Sequence, residues 1–426
     1  MVFTGVALRV LVVHYRYFVS GGPERYLFNV KRLLEERGHE VVPFSVAFKR
    51  NETSEWSPYF VPPIAGDDEV YFDDHTWTPK SLARAFKATF YSPDVYRSLS
   101  RLLRDARPDV ALVLQFQRKM SPSVLSALHD AHVPIVVRLS DFGMVCPEAH
   151  LTRDGELCTD CVGRLPYASV RHACVHGSHL VSAVEFAATA YHRSTRVFDL
   201  VDRFIAPTTF MRETMIAAGW PEDKVRVIPT PVALPAPCGS LERDTFVYLG
   251  RIDRLKGVFT LIDAYARLVG DHGPGTPGLA FVGSAEGPEG RELKVRVAEL
   301  GLEGRVTFAG VQDMQGIQRW LCRALASIVP SICCDNLPNS MLESLAAGAP
   351  VIASDQPALR EALDGSSAGT LVPQGDADAL ARAMDAIMGD PQRVISQSEA
   401  ARRLAQRRFS EEAHMEALLH LFGELV

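Results

Sequence analysis

The chain has 426 residues, of which 47% are hydrophobic and 23% are charged. This length exceeds one ordinary hydrophobic core and predicts two domains. The formal net charge of −6 gives no overall attraction to nucleic acid, and we therefore expect no nucleic-acid partner.

The beginning of the chain, MVFTGVALRVLVVHYRYF, lacks the order of basic region, apolar stretch and small-residue cleavage site that marks a secretory leader. Arg9, His14 and Arg16 interrupt its apolar residues, so LRVLVV is better interpreted as a buried first strand. No later run approaches the ~18 apolar residues of a membrane-spanning helix. We therefore expect a cytoplasmic protein.

Strand-like and helix-like segments alternate after this first strand. The glycine-containing loop SGGPE precedes an amphipathic segment over residues 25–40, with Leu27, Val30, Leu33 and Leu34 on one face and Gly38 as a helix stop. Further strands are predicted at VVPFSV, DVALVLQ, PIVVRLS and RFIAPT. Such alternation is typical of a parallel, doubly wound sheet. Residues 49–80 interrupt it and indicate an insertion or long loop.

Residues 81–109 show helical spacing and carry a set of basic side chains: Arg84, Lys87, Arg97, Arg101 and Arg104. The favoured interpretation is a solvated helix face. The alternative is peripheral contact with an anionic membrane surface.

Four prolines lie in VIPTPVALPAPCGSLERD (227–244), and the strand and helix pattern restarts after them. We predict a first domain over 1–229, a linker over 230–243 and a second α/β domain over 244–405. Residues 406–426 are predicted to form a helix that packs back on the first domain.

Basic and acidic side chains in the second domain suggest a phosphate site. YLGRIDRLKG (248–257) places Arg251 and Lys256 after a strand, at the sheet edge where ligands bind in open α/β folds. A short apolar helix ending at Gly348 carries Glu343, and Asp335 precedes it in a Pro/Asn loop. Asn336 or Asn339 is predicted to cap this helix, whose N-terminus suits a phosphate or sugar oxygen.

The order of these motifs resembles that of the retaining GT-B glycosyltransferases of family 4. It consists of Gly-Arg-x4-Lys-Gly, then Asp-x7-Glu, then Gly-x-Pro-Val-x-Ala-Ser, and the resemblance covers nearly the whole chain. It implies two Rossmann-like domains facing a cleft. The family has Glu-x7-Glu, whereas here Asp335 replaces the first glutamate with a side chain one methylene shorter.

The resemblance implies a hexosyltransferase-type enzyme of carbohydrate biosynthesis that moves a sugar from a nucleotide-diphosphate sugar to an acceptor hydroxyl. Arg251 and Lys256 would bind the donor diphosphate, Glu343 would hold the ribose, and Asp335 would face the transferred sugar. Four further parts of the chain would complete the donor site. Gly21 and Gly22 would contribute from the first domain, and Gly283 would form a turn near the nucleotide. Val311 would lie beside the base, and the backbone of Asn336, Leu337, Pro338 and Asn339 would face the transferred sugar. Positive charge would stabilise the leaving diphosphate, so no divalent metal is expected in catalysis.

The segment VVRLSDFGMVCP resembles the family segment in which a histidine precedes an aspartate. Here Ser140 precedes Asp141, and Asp141 is a candidate to orient or deprotonate the acceptor hydroxyl. His14, His150, His172 and His176 are the candidates for the missing histidine contact.

Four cysteines lie within the predicted loop 146–174: Cys146, Cys158, Cys161 and Cys174. Their C-x11-C-x2-C-x12-C spacing favours a structural zinc site over disulfides or unpaired thiols. A similar quartet occurs in a subset of the family. The other cysteines, Cys238, Cys322, Cys333 and Cys334, are interpreted as unrelated to it.

The sequence motifs leave two alternatives to sugar transfer open. One is a nucleotide-sugar epimerase of the same architecture, and the other is a sugar-nucleotide-binding protein whose catalysis has decayed, to which Ser140 and Asp335 lend weight. These motifs do not specify the donor sugar, its base or the oligomeric state. The acceptor could be a glycan, a lipid-linked molecule or a small molecule.

Overall fold

A computed structural model describes residues 7–64, 78–117, 119–239 and 242–426. Within them the chain forms two compact units. The first comprises residues 1–149, 159–228 and 414–426, and the second comprises 150–158 and 229–413. The predicted loop 65–77, part of the interruption at 49–80, lies outside the described residues.

The strands are short and mostly buried. In chain order they are β1 (Arg9–Val13), β2 (Glu40–Phe44), β3 (Val110–Val113), β4 (Ile135–Arg138), β5 (Thr152–Arg153), β6 (Glu156–Leu157), β7 (Arg203–Ala206), β8 (Val225–Val227), β9 (Thr245–Leu249), β10 (Gly278–Val282), β11 (Val306–Gly310), β12 (Ala324–Val329), β13 (Val351–Ser354) and β14 (Gly369–Val372).

The helices alternate with these strands. They are α1 (Gly22–Glu35), α2 (Pro79–Phe90), α3 (Pro93–Ala106), α4 (Ser123–Asp130), α5 (Tyr167–Arg171), α6 (His179–Ser194), α7 (Thr209–Ala217), α8 (Val258–His272), α9 (Pro288–Glu299), α10 (Met314–Cys322), α11 (Asn339–Ala347), α12 (Pro357–Leu363), α13 (Ala377–Met388), α14 (Pro391–Arg408) and α15 (Glu411–Gly423). None of the helices within the described ranges is long and apolar enough to cross a membrane.

Each unit contains a six-stranded parallel sheet. The first has the order β2-β1-β3-β4-β7-β8, and the second has the order β11-β10-β9-β12-β13-β14. The strand order reverses between β1 and β3 in one sheet and between β9 and β12 in the other. In open α/β sheets the carboxyl ends of the strands at such a reversal form the ligand crevice. The predicted doubly wound architecture is confirmed.

Helix α15 completes the hydrophobic core of the first unit. Its residues Met415, Leu418 and Phe422 are buried in the same cluster as Tyr26 of α1. The Tyr26 hydroxyl and His414 Nε2 are 3.2 Å apart and form a buried hydrogen bond.

Several local predictions differ from the structure. The segment 81–109 is two helices, because Pro93 disfavours a helical conformation at Ser92, whose hydroxyl instead caps α3. Helix α1 begins at Gly22, three residues before the predicted segment. Strand β8 was not predicted, since three residues before a proline-rich stretch give almost no periodic signal.

Cys238 and Cys322 form a disulfide bond across a sequence separation of 84 residues. Both cysteines lie outside the quartet, and their pairing was not predicted from the sequence. Cys322 ends α10 and Cys238 lies in the predicted linker, so the bond fastens the linker to the second unit.

Candidate functional site

The candidate donor site of the second unit begins where β9 ends. The Tyr248 hydroxyl donates to the Arg251 carbonyl at 2.6 Å and fixes the turn that follows the strand. The Arg251 guanidinium is 68% exposed and pairs with Asp253 at 2.7 Å. An exposed ion pair of this kind contributes little to stability, so Arg251 can leave Asp253 for a ligand at small cost.

Gly257 brings this turn against the end of β12. Its φ is +71°, and a Cβ built on it would lie 1.8 Å from the Pro330 carbonyl oxygen. The Ile332 amide donates to the Leu255 carbonyl at 2.9 Å, joining the two loops. Only glycine permits this close approach, which places Lys256 beside residues 330–335.

Lys256 and Asp335 form a short ion pair between Nζ and Oδ1. Burial alone would lower the pKa of Lys256, but the Asp335 carboxylate outweighs it and the pKa is raised. Within the described chain, the second carboxylate oxygen, Oδ2, is buried without a hydrogen-bond partner. A buried polar atom without a partner is costly unless a ligand supplies one.

Cys333 lies 3.9 Å from both charged groups of this ion pair. Burial, with the Asp335 charge, raises the pKa of its thiol to about 11. The side chain is therefore a neutral packing group at pH 7 and a poor nucleophile.

Gln356 belongs to this site, although the sequence analysis did not single it out. The side chain is buried, accepts from the Asp335 amide at 3.1 Å and donates to the Ser331 carbonyl at 2.6 Å. It therefore holds the loop that carries Asp335. Its position two residues after β13, at the same sheet edge, was the available signal.

Helix α11 starts at Asn339 with Pro338 as its N-cap residue, and Pro338 makes no side-chain capping hydrogen bond. The predicted cap by Asn336 or Asn339 is therefore wrong. Leu337 adopts a left-handed conformation with φ of +59°, which turns the chain into the helix. Gly348 ends the helix as predicted, with φ of +73°. Glu343 lies in the second turn and is half-buried.

Gly283 and Val311 follow β10 and β11 at the same edge. A Cβ on Gly283 would lie 1.9 Å from the Gly250 carbonyl oxygen, so the residue must be glycine. Its amide donates to the Gly310 carbonyl at 2.9 Å. Val311 is 78% exposed, so its side chain is available to a flat ligand.

The hairpin formed by β5 and β6 belongs to the second unit and contacts the donor loop. The Thr152 hydroxyl accepts from the Cys334 amide at 2.8 Å. Gln374 donates both to the Ile332 carbonyl and to the Gly155 carbonyl of the hairpin. Part of the cysteine-rich segment therefore supports the loop that carries Asp335, a role that the sequence analysis did not predict.

The predicted four-cysteine zinc site is not supported. In residues 7–64, 78–117, 119–239 and 242–426, no group of three or more His, Cys, Asp or Glu side chains is placed to hold a metal ion. Cys158 directly follows β6 of the hairpin. None of these four cysteines is in a disulfide.

The glycine turn of the first unit covers a buried glutamate. Gly21 is the N-cap residue of α1 and Gly22 is its first residue. Glu24 is buried and accepts from Arg16 at 3.2 Å, while a Cβ on Gly21 would lie 3.3 Å from its Oε2 atom. The structure therefore gives this turn a close contact with the Glu24 carboxylate.

His14 follows β1 and is buried beside Glu24, with 3.9 Å between Nε2 and Oε1. Burial lowers its pKa to about 4, although the Glu24 charge opposes the shift. The folded protein therefore keeps this imidazole neutral at pH 7.

This burial predicts that His14 makes folding pH-dependent. Because the folded pKa lies below the unfolded value of about 6.5, its contribution is complete above that value and is lost as the pH falls from about 6.5 to 4. The full loss is about 3 kcal/mol of unfolding free energy. Urea unfolding at pH 7 and pH 4.5 should show a smaller pH effect in His14→Gln than in the wild type. His420→Gln, at an exposed position, should keep the wild-type difference.

A cavity of about 430 Å³ lies at the carboxyl ends of β1, β3 and β4 in the first unit. Asp141 lines it and is held by two donors, the Gly143 amide at 2.8 Å and Gln115 Nε2 at 3.0 Å. Ser140 also lines it, and its hydroxyl accepts from Arg138 at 3.0 Å. Of the four histidine candidates, His176 lines the cavity. The structure thus places Asp141 and Ser140 together at the strand reversal of the first sheet.

Two family models match the chain in succession. The Glycosyl transferase 4-like domain matches residues 21–231, and the model for Glycosyl transferases group 1 matches residues 239–407. The chain belongs to the glycosyltransferases. The predicted GT-B family is thereby confirmed, whereas the subset with a cysteine quartet and the retaining mechanism stay predictions.

Curated relatives of this glycosyltransferase are similar over part of their length. It is 33% identical over 175 residues to the lipopolysaccharide core biosynthesis glycosyltransferase LpsE of Rhizobium meliloti, covering 41% of this chain and 48% of the relative. It is 34% identical over 173 residues to a D-inositol 3-phosphate glycosyltransferase of Jonesia denitrificans, covering 39% and 40%. Each match spans less than half of the relative's length.

Solved structures resemble the glycosyltransferase over nearly its whole length. Sucrose-phosphate synthase from Thermosynechococcus elongatus matches with a TM-score of 0.70 and 20% identity, covering 98% of this chain and 99% of the other. Anabaena HepE in complex with UDP and glucose matches with a TM-score of 0.65 and 17% identity, covering 97% and 99%. At such identities the likeness shows the fold, and the predicted GT-B fold is confirmed.

Proposed function

We propose that this protein is a retaining glycosyltransferase that moves a sugar from a nucleotide-diphosphate sugar to an acceptor hydroxyl. The observation that carries the proposal is the cluster of Lys256, Asp335 and the N-terminus of α11 at the strand reversal of the second sheet. HepE, a structural neighbour, is described in complexes with UDP and with UDP-glucose, which supports a nucleotide-sugar donor.

The donor diphosphate binds through positive charge in this proposal. Lys256 supplies a largely buried ammonium, Arg251 an exposed guanidinium, and α11 the positive end of its dipole. Because this charge is fixed before the reaction, it stabilises the leaving diphosphate. We infer that no divalent ion is needed, and addition of EDTA should leave the transfer rate unchanged.

Glu343 and Gly283 serve the nucleoside. Glu343 accepts from the two ribose hydroxyls, since a half-buried carboxylate favours strong donors. Gly283, which lacks a side chain at a crowded strand end, lets the backbone approach the nucleotide.

The reaction requires no protein nucleophile. The bond between the sugar anomeric carbon and the diphosphate oxygen breaks, and the acceptor oxygen bonds to the same face of that carbon. The acceptor proton passes to the departing diphosphate oxygen. Asp141, whose carboxylate is fixed by Gly143 and Gln115, orients the acceptor hydroxyl in the first unit.

Nucleotide binding tests the donor half of the proposal. A thermal-shift series with UDP, GDP, ADP and their sugar conjugates should show stabilisation by one base family, because a bound ligand stabilises the native state by mass action. Glu343→Ala should weaken that ligand by about tenfold or more, the equivalent of about 1.4 kcal/mol. Glu399→Ala, an exposed residue paired with Arg403, should leave it unchanged. Absence of stabilisation by every nucleotide would contradict the proposal.

Transfer itself is tested by incubating the protein with the preferred donor, with and without acceptors, and reading the anomeric configuration of the product by NMR. Retained configuration supports the proposal. An isomerised donor without acceptor would identify an epimerase. Donor binding without transfer would identify a binding protein, a candidate favoured by the engagement of Lys256 by Asp335 and by Ser140 in place of histidine.

A further inference from the structure

The Asp335 carboxylate is held in place by the backbone that carries it. The Asp335 amide donates to Gln356 Oε1 at 3.1 Å, and the Cys334 amide before it donates to the Thr152 hydroxyl at 2.8 Å. Asp335 is also only 7% exposed. Because two successive amides are fixed, this carboxylate stays at the site when a ligand binds beside it.

One oxygen of this carboxylate lacks a hydrogen bond to any residue that the structure describes. Oδ1 forms the short ion pair with Lys256 Nζ, whereas Oδ2 is buried without a partner. Two titratable neighbours are neutral, because burial raises the pKa of the Cys333 thiol and of the Tyr248 hydroxyl. A hydroxyl of a bound ligand can supply the donor that Oδ2 lacks.

Each of the two cations proposed to bind the diphosphate is paired with an aspartate. Arg251 is exposed, so water weakens its interaction with Asp253. The pair of Lys256 and Asp335 is largely buried, and charges interact more strongly there than in water. The negative charge of Asp335 therefore reduces the attraction that Lys256 exerts on a diphosphate.

A free nucleoside diphosphate and its sugar conjugate differ at the phosphate next to the sugar. In the free diphosphate this phosphate is terminal and carries a charge of about −1.5 to −2 at pH 7, because its second ionisation lies near pH 6. In the conjugate the same phosphate is esterified and loses that second ionisation, and the transferred sugar adds hydroxyl donors. Asp335 therefore repels the free diphosphate more strongly than the conjugate.

We propose that Asp335 selects the sugar conjugate over the free nucleoside diphosphate and thereby promotes release of the product after transfer. Its buried charge weakens binding of the diphosphate alone, and a hydroxyl of the transferred sugar offsets that effect by donating to Oδ2. This inference rests on the proposed function and gives Asp335 a specificity-determining role in it.

Calorimetry tests this role with three pairs of ligands: UDP and UDP-glucose, GDP and GDP-mannose, and ADP and ADP-glucose. Each diphosphate is compared with its own conjugate, in the wild type and in Asp335→Asn. The variant removes the charge at nearly constant shape, so it should bind the diphosphate about tenfold more tightly. Its affinity for the conjugate should change by less than about threefold, because the lost repulsion is balanced by a weaker hydrogen bond to the sugar.

Two further variants separate the effect of charge from an effect on folding. Asp335→Glu keeps the negative charge and should bind the diphosphate within about threefold of the wild type. Asp244→Asn removes a carboxylate that pairs with Arg323 at 2.7 Å, just before β9 at the opposite edge of the same sheet. It should leave both affinities unchanged. Thermal unfolding of each variant verifies that folded proteins are compared.

Equal tightening of the diphosphate and the conjugate in Asp335→Asn would overturn the inference, because the carboxylate would then not discriminate between them. Tightening of the diphosphate by Asp335→Glu as large as that by Asp335→Asn would also overturn it. If a diphosphate binds and Asp335→Asn leaves its affinity unchanged, the proposed function stands and only this inference fails. If no nucleotide binds the wild type, the proposed function itself fails.

Discussion

Replacing Lys256 with methionine is expected to lower the rate of sugar transfer by about 10²–10³-fold, the effect of removing one preorganised group that stabilises developing charge. Methionine preserves the length and much of the volume of the side chain but carries no charge. The loss should appear in kcat at saturating donor, because charge on the leaving diphosphate is largest in the transition state.

The matched control for this variant is Lys294→Met, at a half-exposed lysine 3.6 Å from Glu286. It should retain wild-type activity. Lys256→Met also leaves the buried Asp335 carboxylate without its partner, which destabilises the fold. The double variant Lys256→Met/Asp335→Asn should regain stability but not activity. A Lys256→Met protein with wild-type kcat would remove Lys256 from the proposed mechanism.

Gly257→Ala is expected to destabilise the second unit by more than about 3 kcal/mol, within the range of severe single substitutions. Two costs combine. An alanine at φ of +71° is strained by about 1–2 kcal/mol, and its Cβ would overlap the Pro330 carbonyl oxygen, forcing the two loops of the donor site apart.

Gly301→Ala separates these two costs. Gly301 has φ of +68°, close to that of Gly257, but no heavy atom lies within 4 Å of its Cβ position. Its substitution should therefore cost only the backbone strain, about 1–2 kcal/mol. Urea unfolding of the two variants measures the difference. Equal destabilisation would show that the contact with Pro330 is unimportant.

Hydrophobic periodicity was sufficient to predict most of the fold. The strands around β1, β3, β9 and β12 are continuous apolar runs because helices cover both faces of a parallel sheet. The predicted helical face of Leu27, Val30, Leu33 and Leu34 is buried throughout. Strand β8 and the break between α2 and α3 depend on tertiary pairing or on one proline, and periodicity alone did not predict them.

The sequence indicated which residues belong to the candidate site, but not which of them contact each other. Motif spacing indicated Arg251, Lys256 and Asp335, yet the ion pair between the latter two depends on a glycine that lets two distant loops touch. Gln356 gave no motif signal, because its role comes from backbone groups that only the folded loop presents. Cysteine spacing measures distance along the chain, so by itself it does not establish that the four thiols meet in the folded protein.

Residues 414–426 belong to the first unit, although the ribosome makes them last. The core around Tyr26 remains open until Met415, Leu418 and Phe422 have left the ribosome, after all of residues 229–413. We expect the nascent chain to complete its second domain first, while the first waits with an exposed apolar groove. A chaperone that shields this groove would bind the growing chain and dissociate once α15 docks.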